Sequence, residues 1–580
     1  MSIISRGQKL SFSIILLGIL ALILENAHVE GSLANFICHA IDLSISILFV
    51  SETFIYFFKS KTKTTFLKKN ILEVSFVAAF IAIIILGKYY YFFIEEFQGH
   101  NLPVKLIVLI SVFNAFKILI RIRKLHYFLV NLTRHPAQTI MLSFFSVIIV
   151  GTILLMMPFS VTDGKTLGFI NSLFTAASAT CVTGLTVVDT ATKFSIFGKI
   201  VIMSLIQIGG LGIMILAYFT AFLVGRKLTY QDKVAISYML DEDDVRNLNK
   251  GIKNIVLFTF IFEFAGAMLL YLAFMKFEGF GFNNMFYAVF HSVSAFCNAG
   301  FALFTDNLEQ FKSSFLVNFV ISGLIIAGGI SFIVLGNTYG NLRTLFKRKI
   351  LKRPQRVEKL TLNTKVVLFT TALLLISGTL LIYKLEHKDN LLEFGLGTQY
   401  LMAFFQTVTL RTAGFNTMDI SKLHMATYSL MILFMYIGGA SGSCAGGIKV
   451  NTLGVVWAYV KSIFNNKDDV VLLKHAISKD LINQAFLIMF LSATLIFGGS
   501  LLLALTENQK FLRILFEVTS AFGTVGLSTG ITPDLSAPGK IVITLIMFIG
   551  RLGPLTIITA LSQKTRKYEI KYPIGKLNIG

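Results

Sequence analysis

Four short segments of the chain share one pattern: Cys181-Val-Thr-Gly184-Leu, Cys297-Asn-Ala-Gly300-Phe, Arg411-Thr-Ala-Gly414-Phe and Gly523-Thr-Val-Gly526-Leu. Their central glycines are 116, 114 and 112 residues apart, and long apolar stretches flank each segment. One such segment carries little information, but four at nearly equal spacing predict four copies of one structural unit. A backbone loop is tolerated at membrane depth only where it is buried in protein or lines a watery path. The pattern therefore predicts an ion pathway whose four loops belong to one polypeptide.

The composition is that of an integral membrane protein. The 580 residues are 55% hydrophobic and 14% charged, and the mean hydropathy is +0.75. Apolar stretches of about 20 residues recur, which is the length that a helix needs to cross a bilayer. The first stretch has no small-residue cleavage site, so we expect a retained helix and not a signal peptide.

The net charge of +22 could indicate a nucleic-acid partner, but the placement of the charge argues against one. Basic residues cluster in alternate loops, at 59–69, 121–134, 226–253, 343–365, 461–479 and 564–576. Under the positive-inside rule these segments and both termini face the cytoplasm. The expected location is the plasma membrane, crossed many times and in contact with its lipid.

The predicted fold class is an all-α integral membrane protein. Four tandem helix–pore loop–helix repeats with pseudo-fourfold symmetry are expected to follow a four-helix transmembrane domain. The predicted divisions are an N-terminal domain at 1–135, repeats at 136–230, 231–345, 346–462 and 463–563, and a cytoplasmic tail at 564–580.

Each repeat is expected to contain an outer helix, a short pore helix, a filter loop and an inner helix. The predicted outer helices span 139–158, 252–275, 364–385 and 481–505. The predicted pore helices, too short to cross a bilayer alone, span 168–180, 281–296, 394–409 and 511–522. The predicted inner helices span 196–224, 313–340, 424–460 and 539–562.

Glycine at the centre of each loop suits a selectivity filter. Successive carbonyls can be aimed at one axis only with unusual φ and ψ angles, which glycine adopts without a Cβ clash. Rings of such carbonyls replace the hydration shell of an ion. A single glycine could equally be a packing residue or a helix kink. The predicted filter residues are Val182, Thr183, Gly184, Asn298, Ala299, Gly300, Thr412, Ala413, Gly414, Thr524, Val525 and Gly526.

An acidic residue follows each filter glycine, at offsets of five, six, five and eight residues. These residues are Asp189, Asp306, Asp419 and Asp534. We interpret them as an external acidic ring, because such rings concentrate cations at a pore mouth. Ordinary surface or helix-capping aspartates are the alternative for each one.

The chain resembles the Trk/Ktr/HKT superfamily of potassium transporters, and in particular its TrkH/KtrB-like bacterial membrane subunits. The resemblance covers about 430 residues and is carried by Ala176–Leu185, His291–Phe301, Leu410–Asn416 and Phe516–Leu527. It implies selective potassium uptake and no enzymatic activity. Members with serine at the first filter glycine are associated with sodium preference, so Gly184 implies selectivity for K⁺, bound at the filter carbonyls.

The resemblance also implies partners. Members work as homodimers and bind a separate cytosolic ring of regulatory subunits that bind ATP, ADP or NAD. No covalent cofactor is expected; K⁺ is the transported ion, and Na⁺ is a candidate coupling ion.

A glycine-rich stretch, Gly438-Gly-Ala-Ser-Gly-Ser-Cys-Ala-Gly-Gly-Ile-Lys449, interrupts the third inner segment. Each glycine weakens a helix by about 0.8–1 kcal/mol relative to alanine, which predicts a flexible intramembrane loop. The resemblance implies that this loop is the gate, with Gly438, Gly439, Gly442, Gly446, Gly447, Lys449 and Arg551 as its residues. A phosphate-binding loop is excluded because the GxxxxGK[ST] pattern is not met.

Arg551 is predicted in the middle of the last inner helix, where an arginine costs about 2.5 to 3.5 kcal/mol on insertion scales. The resemblance implies a cavity beneath the filter and a barrier to cations; pairing with a carboxylate is the alternative. We also expect Arg411 and Glu517 to support the filter as an ion pair behind it, because a lone buried charge is costly.

The first 135 residues carry four further predicted spans. Lys117, Arg121, Arg123 and Lys124 at the end of the fourth suggest a voltage sensor only weakly, because they are confined to one end of the span. A packing, assembly or regulatory role is the favoured interpretation.

Three alternatives to a selective uptake pore stay open at the level of sequence. A Na⁺- or H⁺-coupled potassium symporter would share the fold. The potassium-binding subunit of an ATP-driven pump would have filter loops with a different sequence pattern. A non-transporting membrane sensor would not need four intact filter segments.

Overall fold

The computed structural model describes residues 136–164, 166–212, 248–349 and 359–561, together with five isolated positions between residues 57 and 77. Apart from those positions, the predicted N-terminal domain lies outside the described residues, as does the predicted tail at 564–580. The four spans predicted before residue 135 and the voltage-sensor interpretation also concern residues outside the described ranges.

The described chain is almost entirely helical. Residues 136–212 form α1 (Pro136–Leu155), α2 (Phe169–Thr180), α3 (Thr190–Lys193) and α4 (Ile196–Leu211). Residues 248–349 form α5 (Leu248–Glu278), α6 (Phe282–Phe296), α7 (Phe315–Gly329) and α8 (Phe332–Lys349). Residues 359–464 form α9 (Leu362–Glu386), α10 (Leu396–Thr409), α11 (Met425–Tyr436) and α12 (Val450–Phe464). A hairpin of β1 (Val471–Leu472) and β2 (His475–Ala476) precedes α13 (Lys479–Thr506), α14 (Phe511–Gly523), α15 (Ala537–Leu552) and α16 (Pro554–Leu561).

Within the described residues, four helices are long and apolar enough to cross a membrane on their own, namely α1, α5, α9 and α13. They overlap the four predicted outer helices. Large apolar side chains such as Phe264, Phe369 and Phe490 are exposed along them. A helix of a soluble protein would bury this surface, whereas a bilayer solvates it.

Four short helices match the predicted pore helices to within two residues at each end: α2, α6, α10 and α14. Their 12 to 15 residues span at most about 23 Å at 1.5 Å per residue, less than the hydrocarbon core of about 30 Å. Each packs against the long helix that precedes it in the chain.

The second and fourth inner helices differ from the prediction. The predicted segment 313–340 is two helices, α7 and α8, at an angle of 105°, and the predicted segment 539–562 is α15 and α16 at 91°. The second bend lies at Gly553, whose φ of 84° is left-handed, and Pro554 begins the new helix. Glycine then proline is a strong signal for ending one helix and starting another. The third inner segment is interrupted between α11 and α12, as predicted.

The helices pack so that each inner helix touches a neighbouring pore helix. The contacts join α4 to α6, α7 to α10, α11 to α14, and α15 to α2. The last of these brings the end of the described chain back to its beginning. The contacts therefore close into a ring around the four loops.

Candidate ion pathway

The four glycine loops meet at the centre of this ring. A Cβ added to any of the four glycines would lie within 3.0 Å of a carbonyl oxygen of another loop. The pairs are Gly184 with Ala299, Gly300 with Ala413, Gly414 with Val525, and Gly526 with Thr183. Each loop thus places one carbonyl against the glycine of another, in cyclic order. Only glycine leaves room for this approach.

The backbone of the four loops has one shared signature. The residue two positions before each glycine has a left-handed φ, at 58° for Val182, 61° for Asn298, 72° for Thr412 and 50° for Thr524. The glycines themselves have φ between 70° and 93°. Left-handed angles at non-glycine residues are uncommon and concentrate at functional sites. All twelve predicted filter residues lie in these four turns.

Three of the four pore helices end near a serine that bonds to the filter loop, which sequence reasoning missed. A serine six residues before the glycine bonds to the glycine N–H, to the carbonyl after the glycine, or to both. The bonds are Ser178 Oγ to Leu185 O (2.7 Å), Gly184 N to Ser178 Oγ (3.1 Å), Ser294 Oγ to Phe301 O (2.8 Å) and Gly526 N to Ser520 Oγ (3.1 Å). The third pore helix has Val408 at this position. The recurrence of serine at a fixed offset is the sequence signal that could have found the bridge.

An open cavity of about 450 Å³ lies on one side of the glycines, and we call it the acidic cavity. Its lining includes all four filter glycines together with Asp189, Asp306, Glu309 and Asp419. Asp534, the fourth member of the predicted ring, is exposed and is not part of the lining. Glu309, which the sequence analysis did not select, lies there instead.

The acids of this cavity have different surroundings. Asp189 caps α3 by accepting from the Ala191 N–H at 2.9 Å, and it also accepts from the Thr305 hydroxyl at 3.1 Å. Hydrogen bonds from Ser421 and the nearby Lys422 ammonium, at 2.9 Å, lower the pKa of Asp419. Partial burial, followed by the charges of Asp419 and Asp306, raises the pKa of Glu309.

The interrupted third inner helix forms a compact loop beneath the filter, between Ile437 and Lys449. Its ends are joined because Gly438 N donates to Ile448 O at 2.8 Å. Gly442 and Gly447 have left-handed φ angles of 70° and 66°. A Cβ at Gly446 would clash with the side chain of Thr524 in the fourth filter loop. The loop therefore lies directly against the filter.

Neighbouring segments hold this loop in place. Ala440 N and Cys444 N donate to the last carbonyls of α7, Gly329 O and Gly328 O, both at 3.1 Å. Arg551, near the end of α15, donates to Cys444 O in the loop and to Gly209 O in α4. Its partners are carbonyls, so the alternative of a carboxylate partner is not met among the described residues. Arg551 thus ties three parts of the chain together.

A second, smaller cavity of about 160 Å³ lies on the other side of the filter, and we call it the basic cavity. Its lining includes Arg551, Lys449, Gly442 and Ser443. The Lys449 ammonium donates to Ala445 O at 2.7 Å. Within the described residues no carboxylate contributes to this lining.

The expected ion pair between Arg411 and Glu517 is wrong. Glu517 is fully buried and accepts hydrogen bonds from Ser528, Thr529 and Thr532 at 2.6 to 3.2 Å. These hydroxyl and N–H donors satisfy the carboxylate without a cation. The Nε and Nη2 atoms of Arg411 are buried and have no partner among the described residues.

Comparison with known proteins identifies the family of this chain. Residues 109–569 match the model of a family described as TrkH, cation transport protein. The chain belongs to the TrkH family of cation transport proteins. Membership makes it a multi-pass membrane protein and a transporter, not an enzyme, as its sequence predicts.

Individual relatives match this chain over nearly the whole of their own length. The chain is 38% identical to Ktr system potassium uptake protein B of Bacillus subtilis over 77% of this chain and 97% of that protein. It is 37% identical to potassium/sodium uptake protein NtpJ of Enterococcus hirae, with the same coverage. The crystal structure of the potassium transporter TrkH from Vibrio parahaemolyticus superimposes with a TM-score of 0.58, covering 96% of this chain and 99% of that one, at 16% identity. That last likeness shows the fold.

Proposed function

We propose that this protein carries potassium ions into the cell through a selective pore. The observation that carries the proposal is the cyclic meeting of four glycine loops, each with a left-handed turn before its glycine. Carbonyl oxygens held in such a ring replace the hydration shell of an ion. The potassium transport named for the relatives from Bacillus subtilis and Enterococcus hirae supports K⁺ as the ion.

In this proposal the twelve loop residues from Val182 to Gly526 named above form the filter. Their carbonyls bind K⁺, and glycine at 184, as at the other three positions, favours K⁺ over Na⁺. Four repeats around one axis, with the predicted boundaries, would explain why every inner helix contacts a neighbouring pore helix. Glu517 supports the filter by fixing the segment after the fourth loop, and Arg411 lies beside the third.

The two cavities give the path a direction. The acidic cavity would be the external mouth, where carboxylates raise the local cation concentration. The loop from Gly438 to Lys449 would be the gate, since it lies between the filter and the basic cavity. There Arg551 and Lys449 repel an arriving cation. Release of this loop would need a partner, and we infer a homodimer bound to a nucleotide-dependent cytosolic ring.

Cation flux into liposomes that hold the purified protein tests the proposal. K⁺ uptake should exceed Na⁺ uptake and should not need Na⁺. The variant Arg551→Gln should be measured beside the wild type, because a closed gate would otherwise hide the path. Gly184→Ser should reduce discrimination between the two ions. Its control is Gly498→Ser in α13, where an added Cβ meets nothing within 4 Å. Equal K⁺ and Na⁺ flux in either form would refute the proposal.

Sodium-coupled potassium transport is the second candidate. It is favoured by the name of the Enterococcus hirae relative, a potassium/sodium uptake protein. In the same liposomes, coupling would appear as K⁺ uptake that requires Na⁺ and is driven by a Na⁺ gradient.

A further inference from the structure

The third filter loop is attached to its pore helix differently from the other three. In loops one, two and four, the N–H of the residue before the glycine reaches five residues back. These bonds are Thr183 to Ser178 (2.8 Å), Ala299 to Ser294 (2.7 Å) and Val525 to Ser520 (2.8 Å). In the third loop, Ala413 N reaches only four residues back, to Thr409 O at 2.9 Å. The five-residue bond is the 6→1 hydrogen bond of the Schellman helix ending, which the third helix lacks.

The side-chain bridge is missing at the same place. Val408 occupies the serine position and is fully buried, but it has no hydroxyl. Within the described chain, neither Gly414 N–H nor Phe415 carbonyl has a hydrogen-bond partner. In the first loop, the equivalent two groups both bond to Ser178. The hydroxyl of Thr409, the next residue, is buried without a partner and does not substitute.

We propose that Val408 leaves the third loop the least restrained quarter of the filter and thereby limits how strictly the pore discriminates K⁺ from Na⁺. This inference rests on the proposed function. Selectivity depends on the number and the field strength of carbonyl dipoles and on how far the filter can adapt. A loop with fewer ties can contract around the smaller Na⁺ ion more easily than its three neighbours can. Val408 acts through Gly414 and is therefore a positioning residue.

Adding the missing hydroxyl tests the inference. Val408→Ser should build a fourth bridge and raise the ratio of K⁺ to Na⁺ flux by about fivefold, the effect of one net hydrogen bond. The matched control is Val408→Ala, which removes a similar volume without adding a donor. Val408→Thr keeps the shape of valine and serves as the second variant if the serine protein does not fold.

The reverse change removes a serine hydroxyl from one of the other three loops. Ser294→Ala should lower the flux ratio, because it removes the bridge to Phe301. Measured as single variants, Val408→Ser and Ser294→Ala should move the ratio in opposite directions. A merely structural role at 408 would alter yield or thermal stability but not this ratio.

The outcomes separate the inference from the proposed function. A wild-type protein that does not prefer K⁺ would overturn both. A selective wild type in which the serine, threonine and alanine variants at 408 all give the same ratio would overturn the inference alone. A ratio that rises with serine or threonine, and not with alanine, would support it.

Discussion

The acidic and basic cavities lie on opposite sides of one ring of glycines, and they differ in charge and in volume. The acidic cavity is open, about 450 Å³ in volume, and holds four carboxylates. The basic cavity is about 160 Å³ and holds Arg551 and Lys449. Attraction on one side and repulsion on the other would let a cation enter the filter and stop it from leaving. The contrast suggests that affinity and gating are set by separate groups and can be changed independently.

The largest effect is expected at Arg551. Arg551→Gln should raise the K⁺ flux of the isolated protein by about 15-fold, since a unit charge roughly 10 Å from an ion at an effective dielectric of 20 contributes about 1.7 kcal/mol. The apparent KM for external K⁺ should not change. Flux into liposomes measures both. Arg551→Lys keeps the charge, so high flux in that variant would mean that the bonds to Cys444 and Gly209 matter more.

Neutralising the acidic cavity should act on KM and leave the gate alone. Replacing Asp189, Asp306, Glu309 and Asp419 by their amides should raise the apparent KM for K⁺ by about fivefold at low ionic strength, because focusing of cations is lost. The effect should shrink in 0.5 M of an impermeant salt, which screens it. Asp534→Asn is the matched control and should change nothing. An equal effect of that control would restore the ring predicted from the sequence.

Lys449 should contribute less than Arg551. Lys449→Gln should raise flux by about threefold, because it removes one positive charge from the basic cavity but leaves the bonds of Arg551 to Cys444 and Gly209 in place. The double variant with Arg551→Gln shows whether the two charges act on one barrier. A flux below wild type in Lys449→Gln would contradict a repulsive role.

The smallest effect is a pH dependence. The raised pKa of Glu309 means that its charge is lost at a higher pH than that of an ordinary glutamate. As external pH falls through that pKa, the apparent KM for K⁺ should rise by about twofold. Glu309→Gln should have the higher KM throughout and lose this step of the pH profile. A profile with the step unchanged would assign it to another group.

Much of this architecture follows from the sequence, because it depends on local patterns. The pore-helix ends and the loop glycines come from apolar length and fixed spacing. The bend after α15 is also encoded locally, in Gly553-Pro554, although apolar length alone predicts one continuous helix there. The features encoded in short stretches were therefore predictable.

The predictions that the structure does not reproduce depend on contacts between separate segments of the chain. Asp534 follows its glycine by eight residues rather than five or six, and Glu517 binds Ser528, Thr529 and Thr532 in the interval. That segment carries Asp534 away from the mouth. Glu517 needs no cation because hydroxyls already satisfy it, which is why opposite charge alone misled the pairing with Arg411. Glu309 lies on a short helical turn, Glu309–Phe311, nine residues after Gly300, beyond the offsets of five to eight residues that define the predicted ring.

The closing contact of the ring has a consequence for how the protein is made. Arg551 joins a carbonyl of α4 that is 342 residues earlier in the chain, and α15 completes the wall next to α2. At 5 to 20 residues per second, roughly 20 to 70 seconds separate the synthesis of the first filter loop from that of α15. Until α15 is made, the ring of helices around the four loops stays open. A chain that ends before residue 537 would have no α15 to complete the wall and no Arg551 to hold the loop between Gly438 and Lys449.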